Sequence, residues 1–227
     1  MPVTSQPVVA PANVELEVER IRALLKEHRF EQAIGAAASL RQLYPENRDV
    51  LHLLALGQRQ SRRLAEALDT LADLERHHPG ASQLYQERGH CYVALKDARR
   101  AIEAYERAVQ INPALVPAWS MLEGLYKMVG DQAQRQMAAA HAHKLKSLPP
   151  EVVTATGLFC EGDLSAAERL IRTFLLREGD QVEAMRLLAR IGVAREVLDD
   201  AEVLLAAAVR MAPDYIELRR DYACVLL

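Results

Sequence analysis

The clearest alternation of apolar and polar positions lies in SQLYQERGHCYVALKDARRAIEAYERAVQINPAL, residues 82 to 115. Its first half sets Tyr85, Gly89 and Tyr92 at spacings of four and three, which puts them on one face of a helix. Ala101, Tyr105 and Ala108 repeat the same spacings in the second half, which stops at Asn112-Pro113. The segment therefore reads as two amphipathic helices joined by a short turn. Its marks recur: Pro45, Pro79 and Pro113 step by 34 residues, and so do Ala33, Ala67 and Ala101. Two independent series at one fixed period predict an all-α array of stacked helix-turn-helix units.

The residue types have physical reasons. Gly89 and Ala101 are small enough for the two helices to approach closely, and Tyr105 is expected to fill the space between neighbouring pairs. Proline cannot continue a helix interior, so Pro113 ends one unit and sets the turn into the next. Gly130-Asp131 and Gly162-Asp163 mark equivalent turns but lie 32 apart, so two residues are lost between the fourth and fifth units. Ala167 and Ala201 are 34 apart again, and Ala208 and Pro213 complete a sixth unit. Units are expected to start near Val14, Arg48, Ser82, Val116, Leu148 and Val182, with the first helix of a seventh from Ile216. Arg135 stands where a small alanine belongs, so the helix around it is expected to pack differently, with a kink in 130–150.

An aromatic, a small residue and tyrosine in the first helix, followed by alanine, an aromatic, alanine and proline, resembles the tetratricopeptide repeat. Ala55, Ala67, Leu71 and Pro79 carry part of the likeness in the second unit, and Trp119, Leu122 and Tyr126 in the fourth. The resemblance implies a right-handed superhelical solenoid over 14–227 whose first helices line a groove that binds a peptide or partner domain.

Composition narrows the alternatives. Half of the 227 residues are hydrophobic, enough for a substantial core, yet the longest apolar runs, such as LLAAAV at 204–209, fall far short of a membrane span. The opening MPVTSQPVVAPAN, residues 1–13, has no basic region and is broken by prolines; it reads as a disordered leader. Cys91, Cys160 and Cys224 are odd in number and far apart, which fits a reducing, cytoplasmic setting. A net charge of -3 with mixed signs offers no stripe for nucleic acid.

No phosphate-cradling glycine loop, HExxH or paired CxxC is present, so neither catalysis nor a cofactor is expected of these residues. His77-His78 sits at a helix end, and His141 and His143 fall on different helix faces, so metal binding is not expected. The resemblance implies which residues face the groove. The family's lysine–asparagine clamp for peptide carboxylates is missing, since the matching positions hold His52, Leu56, Gln86, Glu87 and His90. Two groove patches remain as candidates for partner binding. Arg186, Arg190 and Arg220 form a possible anion site, with Glu183 and Glu217 as competing helical partners three residues before Arg186 and Arg220. Met121, Met128, Val152, Val153, Phe159 and Cys160 form an apolar set, open to a hydrophobic segment or folded into the local core.

Three functions follow as expectations. The first is a protein-interaction module or scaffold. The second rests on EGDLSAAERL and APDYIELRRDYA, which are similar to the repeat region of bacterial proteins in which a sulfotransferase domain follows the repeats. That resemblance implies a role in presenting substrates or partners to an enzyme outside these residues. The third is self-association through the last helix, where Leu218, Tyr222, Val225 and Leu226 share one apolar face that calls for a partner. That open face is what a chain cut from a longer one would show.

Overall fold

A computed structural model describes residues 13–226. Most of the expected leader, residues 1–12, lies outside the described residues, as does Leu227. Asn13 caps the first helix, its side chain accepting from the Glu15 amide at 3.2 Å.

All regular structure among the described residues is helical. The helices are α1 (Val14–Lys26), α2 (Phe30–Leu43), α3 (Arg48–Gln60), α4 (Leu64–His77), α5 (Ser82–Ala94), α6 (Ala98–Ile111), α7 (Val116–Val129), α8 (Gln132–Ser147), α9 (Pro150–Cys160), α10 (Leu164–Glu178), α11 (Val182–Ala194), α12 (Leu198–Met211) and α13 (Ile216–Val225). They fall into two compact units, divided within α6 between Tyr105 and Glu106.

One turn recurs at the end of every first helix from α1 to α11. His28, Arg62, Lys96, Gly130, Gly162 and Glu196 all have φ between 59° and 85°. The amide after each donates to the carbonyl five residues back, as in Arg29 to Leu24, Arg63 to Gln58, Asp97 to Tyr92 and Val197 to Gly192, each at 2.9 Å. This is the Schellman closure, which satisfies carbonyls that the helix end would otherwise leave bare. Asp97, Asp131 and Asp163 then cap the second helices, accepting from amides three residues on at 2.9–3.0 Å. Between pairs, Tyr44, His78 and Ala212 leave the helical region at φ −131°, −135° and −136° with ψ 69°, 63° and 72°, in line with the bias of a residue before proline against the α conformation.

These turns locate the register slip. The left-handed residues step by 34 from His28 to Gly130, by 32 to Gly162, and by 34 to Glu196. Each following pair nevertheless starts 20 residues after its turn, at Arg48, Ser82, Val116, Pro150, Val182 and Ile216. The helix of the fifth pair begins at Pro150, two residues after Leu148, which is extended ahead of Pro149. The deletion falls inside α9, which has 11 residues where α3, α5 and α11 have 13. No break interrupts α8 within 130–150. It does pack sparsely, burying Ala138 and Ala142, whereas α4 buries Ala67, Thr70, Leu71 and Leu74.

In the first unit Val18, Ile21, Leu24 and Leu25 of α1 pack on Ala33, Ile34, Ala37 and Leu40 of α2 and on Val50, Leu53 and Leu54 of α3. Tyr105 is fully buried and packs within its own pair. A Cβ at Gly89 would stand 2.7 Å from its ring, and its hydroxyl meets His90 Nδ1 at 2.6 Å. In the second unit one core joins Val152 and Ala155 of α9 to Ile171 and Phe174 of α10 and to Leu187, Leu188 and Ile191 of α11. Another joins Met185 and Ala189 of α11 to Leu205 and Ala208 of α12 and Leu218 of α13.

Two stability predictions follow from this geometry. The left-handed conformation costs an L-residue about 1–2 kcal/mol and glycine almost nothing, so substitutions at equivalent turns have opposite signs. Glu196→Gly raises the urea unfolding free energy by about 0.5–1 kcal/mol, while Gly162→Ala lowers it by about 1 kcal/mol. Gly89→Ala, forced against the Tyr105 ring, lowers it by about 1–3 kcal/mol despite alanine's better helix propensity.

Candidate functional site

The second unit carries two adjoining hollows, both reached by Arg190. The first is a groove of about 370 Å³ lined by Phe159 of α9, Arg190, Val193 and Ala194 of α11, Leu198 and Leu205 of α12, and Asp221, Cys224 and Val225 of α13. Six of these nine side chains are hydrocarbon or aromatic. They come together because the first helices of successive pairs lie side by side and end near one another. Phe159 and Val193 hold the same place, three residues before their left-handed turns at Gly162 and Glu196.

Arg190 lies over the Phe159 ring, its guanidinium carbon 4.8 Å from the centroid. A cation at this distance is attracted by the ring face, an effect of about 0.5–1 kcal/mol at an exposed site. No carboxylate pairs with Arg190 among the described residues. Cys160 follows Phe159 on α9; burial pushes its thiol above the ordinary range, only partly opposed by Arg190. Cys224, at the groove wall, is exposed.

The second hollow, about 190 Å³, runs from Pro113 and Ala114 past His141, Lys144, Leu145 and Leu148 to Val152, Thr156, Glu183, Arg186, Leu187, Arg190 and Tyr215. Arg186 and Glu183 are spent in a network with Tyr215 and Asp221. Arg186 donates from Nε to Asp221 Oδ2 at 2.6 Å and from Nη1 to the Tyr215 hydroxyl at 2.8 Å. That hydroxyl in turn donates to Glu183 Oε1 at 2.6 Å. Burial works against the Arg186 charge, but the Asp221 hydrogen bond and the nearby anions outweigh it and hold the guanidinium above its ordinary range. Burial, followed by Glu183, pushes the Tyr215 phenol up to about 12. Lys144 reaches the same ring from α8, its ammonium 5.5 Å from the centroid, and His141 stacks on Trp119 at 4.4 Å.

The predicted arginines therefore have three different fates. Arg186 is a structural ion, bound to Asp221 one repeat and one residue further on, with Glu183 a longer contact at 3.8 Å. Arg190 is the cation facing the groove. Arg220 projects outward, its side chain 69% exposed and 3.8 Å from Asp221. The apolar set also divides. Phe159 forms the groove floor and touches the α9–α11 core. Met121 and Val153 are half-buried and Met128 is 76% exposed, and none of the three lines either hollow. Sequence reading missed Val193, Ala194, Leu198, Tyr215 and Asp221. Asp221 was accessible in principle: the 34-residue period sets Arg220 in register with Arg186, and the next residue is the acid.

No group of three or more potential metal ligands occurs among the described residues, and none of their helices is long and apolar enough to cross a membrane.

Stacked helix pairs define a helical-repeat scaffold. Tetratricopeptide-repeat family models match residues 82–115 and 154–216. These two segments are tetratricopeptide repeats, whose general role is that of a protein-interaction scaffold. No curated protein matches the chain. Among solved structures it is similar to a tetratricopeptide repeat protein from Parabacteroides merdae, at 16% identity over 97% of this chain and 87% of that one, TM-score 0.52. PilF of Pseudomonas aeruginosa is likewise 16% identical, with 92% and 96% covered and a TM-score of 0.55. A chain in the structure of Naa15/Naa10 bound to HypK-THB is 15% identical over 95% of this chain and 39% of its own, TM-score 0.54. At these identities the likeness is one of fold.

Breaking the Arg186–Asp221 pair exposes its structural role. With side chains only 15% and 18% exposed, Arg186→Met leaves three polar partners without their cation and lowers stability by about 2–3 kcal/mol. The double variant Arg186→Met with Asp221→Leu recovers at least about 1 kcal/mol of that loss in a double-mutant cycle read by urea unfolding.

Proposed function

We propose that the chain holds a partner protein by a segment laid in the groove between α9, α11 and α13. The observation that supports this reading is the groove's chemistry: a mostly apolar wall of about 370 Å³ with one guanidinium at its edge. Ligand sites commonly span about 300–1,000 Å³ and combine apolar lining with a few placed polar groups. Such a wall supplies affinity through side chains that leave water, while the fixed helices avoid an ordering cost on the repeat side. The Arg186, Glu183, Tyr215 and Asp221 network supports the role by locking α11 against α13, so that the groove walls keep their separation.

The test compares one substitution inside the groove with one outside it. Val193 lines the groove; Val203 does not, and it is 69% exposed on α12. Val193→Asp places a carboxylate in an apolar contact and weakens partner binding by about 2 kcal/mol, roughly thirtyfold in Kd, while Val203→Asp leaves it unchanged. Binding of a co-purified partner to both purified variants by titration calorimetry reads the difference. Equal affinities, or a loss with Val203→Asp alone, place the contact surface elsewhere. Concentration-dependent light scattering that disappears with Val193→Asp identifies the partner as a second copy of the chain.

A further inference from the structure

We infer that the groove takes a partner segment carrying a large apolar side chain within one helical turn of a carboxylate. The apolar group fills the space over Phe159, and the carboxylate meets Arg190. This rests on the reading of the groove as the binding face and adds the chemistry of what binds there.

The charges around the groove do not balance. Two ionic side chains line the groove, Arg190 and Asp221. Asp221 is already neutralised: one oxygen accepts from Arg186 at 2.6 Å, and the other lies 3.8 Å from Arg220. Arg190 has no such counterion among the described residues, and its guanidinium lies over the Phe159 ring. The guanidinium carbon lies 4.8 Å from the ring centroid, and a contact with a ring takes up none of the hydrogen-bond acceptors that the N–H groups of a guanidinium call for. That planar fork matches a carboxylate in two-point contact. To an incoming ligand the groove is therefore apolar with a single uncompensated positive edge. A basic segment meets a like charge there, and a wholly apolar one leaves the fork to water. An acidic-apolar segment satisfies both parts.

The spacing follows from the same geometry. Phe159 is in contact with Arg190, so the ligand's apolar and acidic groups must emerge close together. On a helix that condition is met three or four positions apart, and in an extended segment two apart.

Cys224 supplies a readout of occupancy independent of the partner's identity, because it is exposed and lines the groove while Cys91 is buried. Displayed libraries of short random peptides are selected on the full chain. Selected peptides are then assayed for Kd and for slowing Cys224 alkylation, with the labelled cysteine located by peptide mass analysis. The expected result is enrichment of Asp or Glu within four positions of Leu, Ile, Met, Phe or Trp, with Cys224 protected. Arg190→Glu and Arg190→Gln then weaken these peptides by about tenfold or more, and added salt weakens them in the parent alone. Both variants alter an exposed side chain, and helical circular dichroism verifies their fold.

Peptides that protect Cys224 but lack an acid, or that bind Arg190→Glu as tightly as the parent, overturn the inference and leave the groove reading standing. Peptides that bind without protecting Cys224, or a selection that yields none, overturn both. If octanoate alone protects Cys224 as well as the best peptide does, the occupant is a small apolar acid and the protein-segment inference fails.

Discussion

The array depends on a single backbone constraint, the left-handed residue that closes each first helix. A helix end leaves carbonyls without partners, and burying it between neighbours makes that deficit costly. The Schellman closure meets the deficit and also fixes where the chain turns, so the second helix starts in a defined direction. His28, Arg62, Lys96 and Glu196 accept the steric cost of that conformation, which Gly130 and Gly162 avoid. Four residues held in a conformation worth about 1–2 kcal/mol of strain each imply that packing on both sides over-determines the turn. The buried faces of α1, α2 and α3, with Ile21 and Ala33 fully enclosed, show how that packing is supplied.

The same constraint explains how the array absorbs a deletion. Because the interval from each turn to the next pair is constant, a change in repeat length has to fall before the turn, within a first helix. It falls in α9. Removing two residues from a helix rotates everything beyond them by about 200° relative to what precedes. The closing turn nevertheless keeps its form, with the Asp163 amide 2.9 Å from the Leu158 carbonyl, so the end of α9 takes its register from the turn. Phe159 thereby holds the same place before its turn as Val193 does, and the two side chains share one groove.

Much of this was legible in the sequence, and the parts that were not share a cause. The proline and alanine series gave the helix pairs, since those residues act through local backbone chemistry that leaves a periodic mark. Gly130 and Gly162 revealed two of the left-handed turns; the other four were hidden because His, Arg, Lys and Glu carry no such preference and are placed there by tertiary packing. The contact of Tyr105 with Gly89 was not foreseen, because the ring-sized space inside the pair appears only when the two helices are packed. For Arg186 the helical partner Glu183 was visible, but the shorter contact is to Asp221, whose approach is set by how α13 lies on α11. Phe159 and Arg190 were both candidates, in separate patches; only the fold makes them neighbours.

That neighbourhood has a consequence for how such a surface selects partners. Arginines in this chain are mostly matched: Arg59 with Glu87, Arg88 with Glu75, Arg177 with Glu151, Arg195 with Glu168 and Arg186 with Asp221 all lie within 2.8 Å. A matched arginine offers an incoming carboxylate little, because the new contact must displace an existing one. An unmatched arginine on open surface offers little too, since exposed ion pairs are worth about 0–1 kcal/mol. Arg190 differs from both, because the apolar wall around it excludes water once a ligand seats, and a charge contact strengthens as its surroundings dry. Affinity then comes from hydrocarbon contact, and discrimination from one guanidinium whose worth depends on that contact being made.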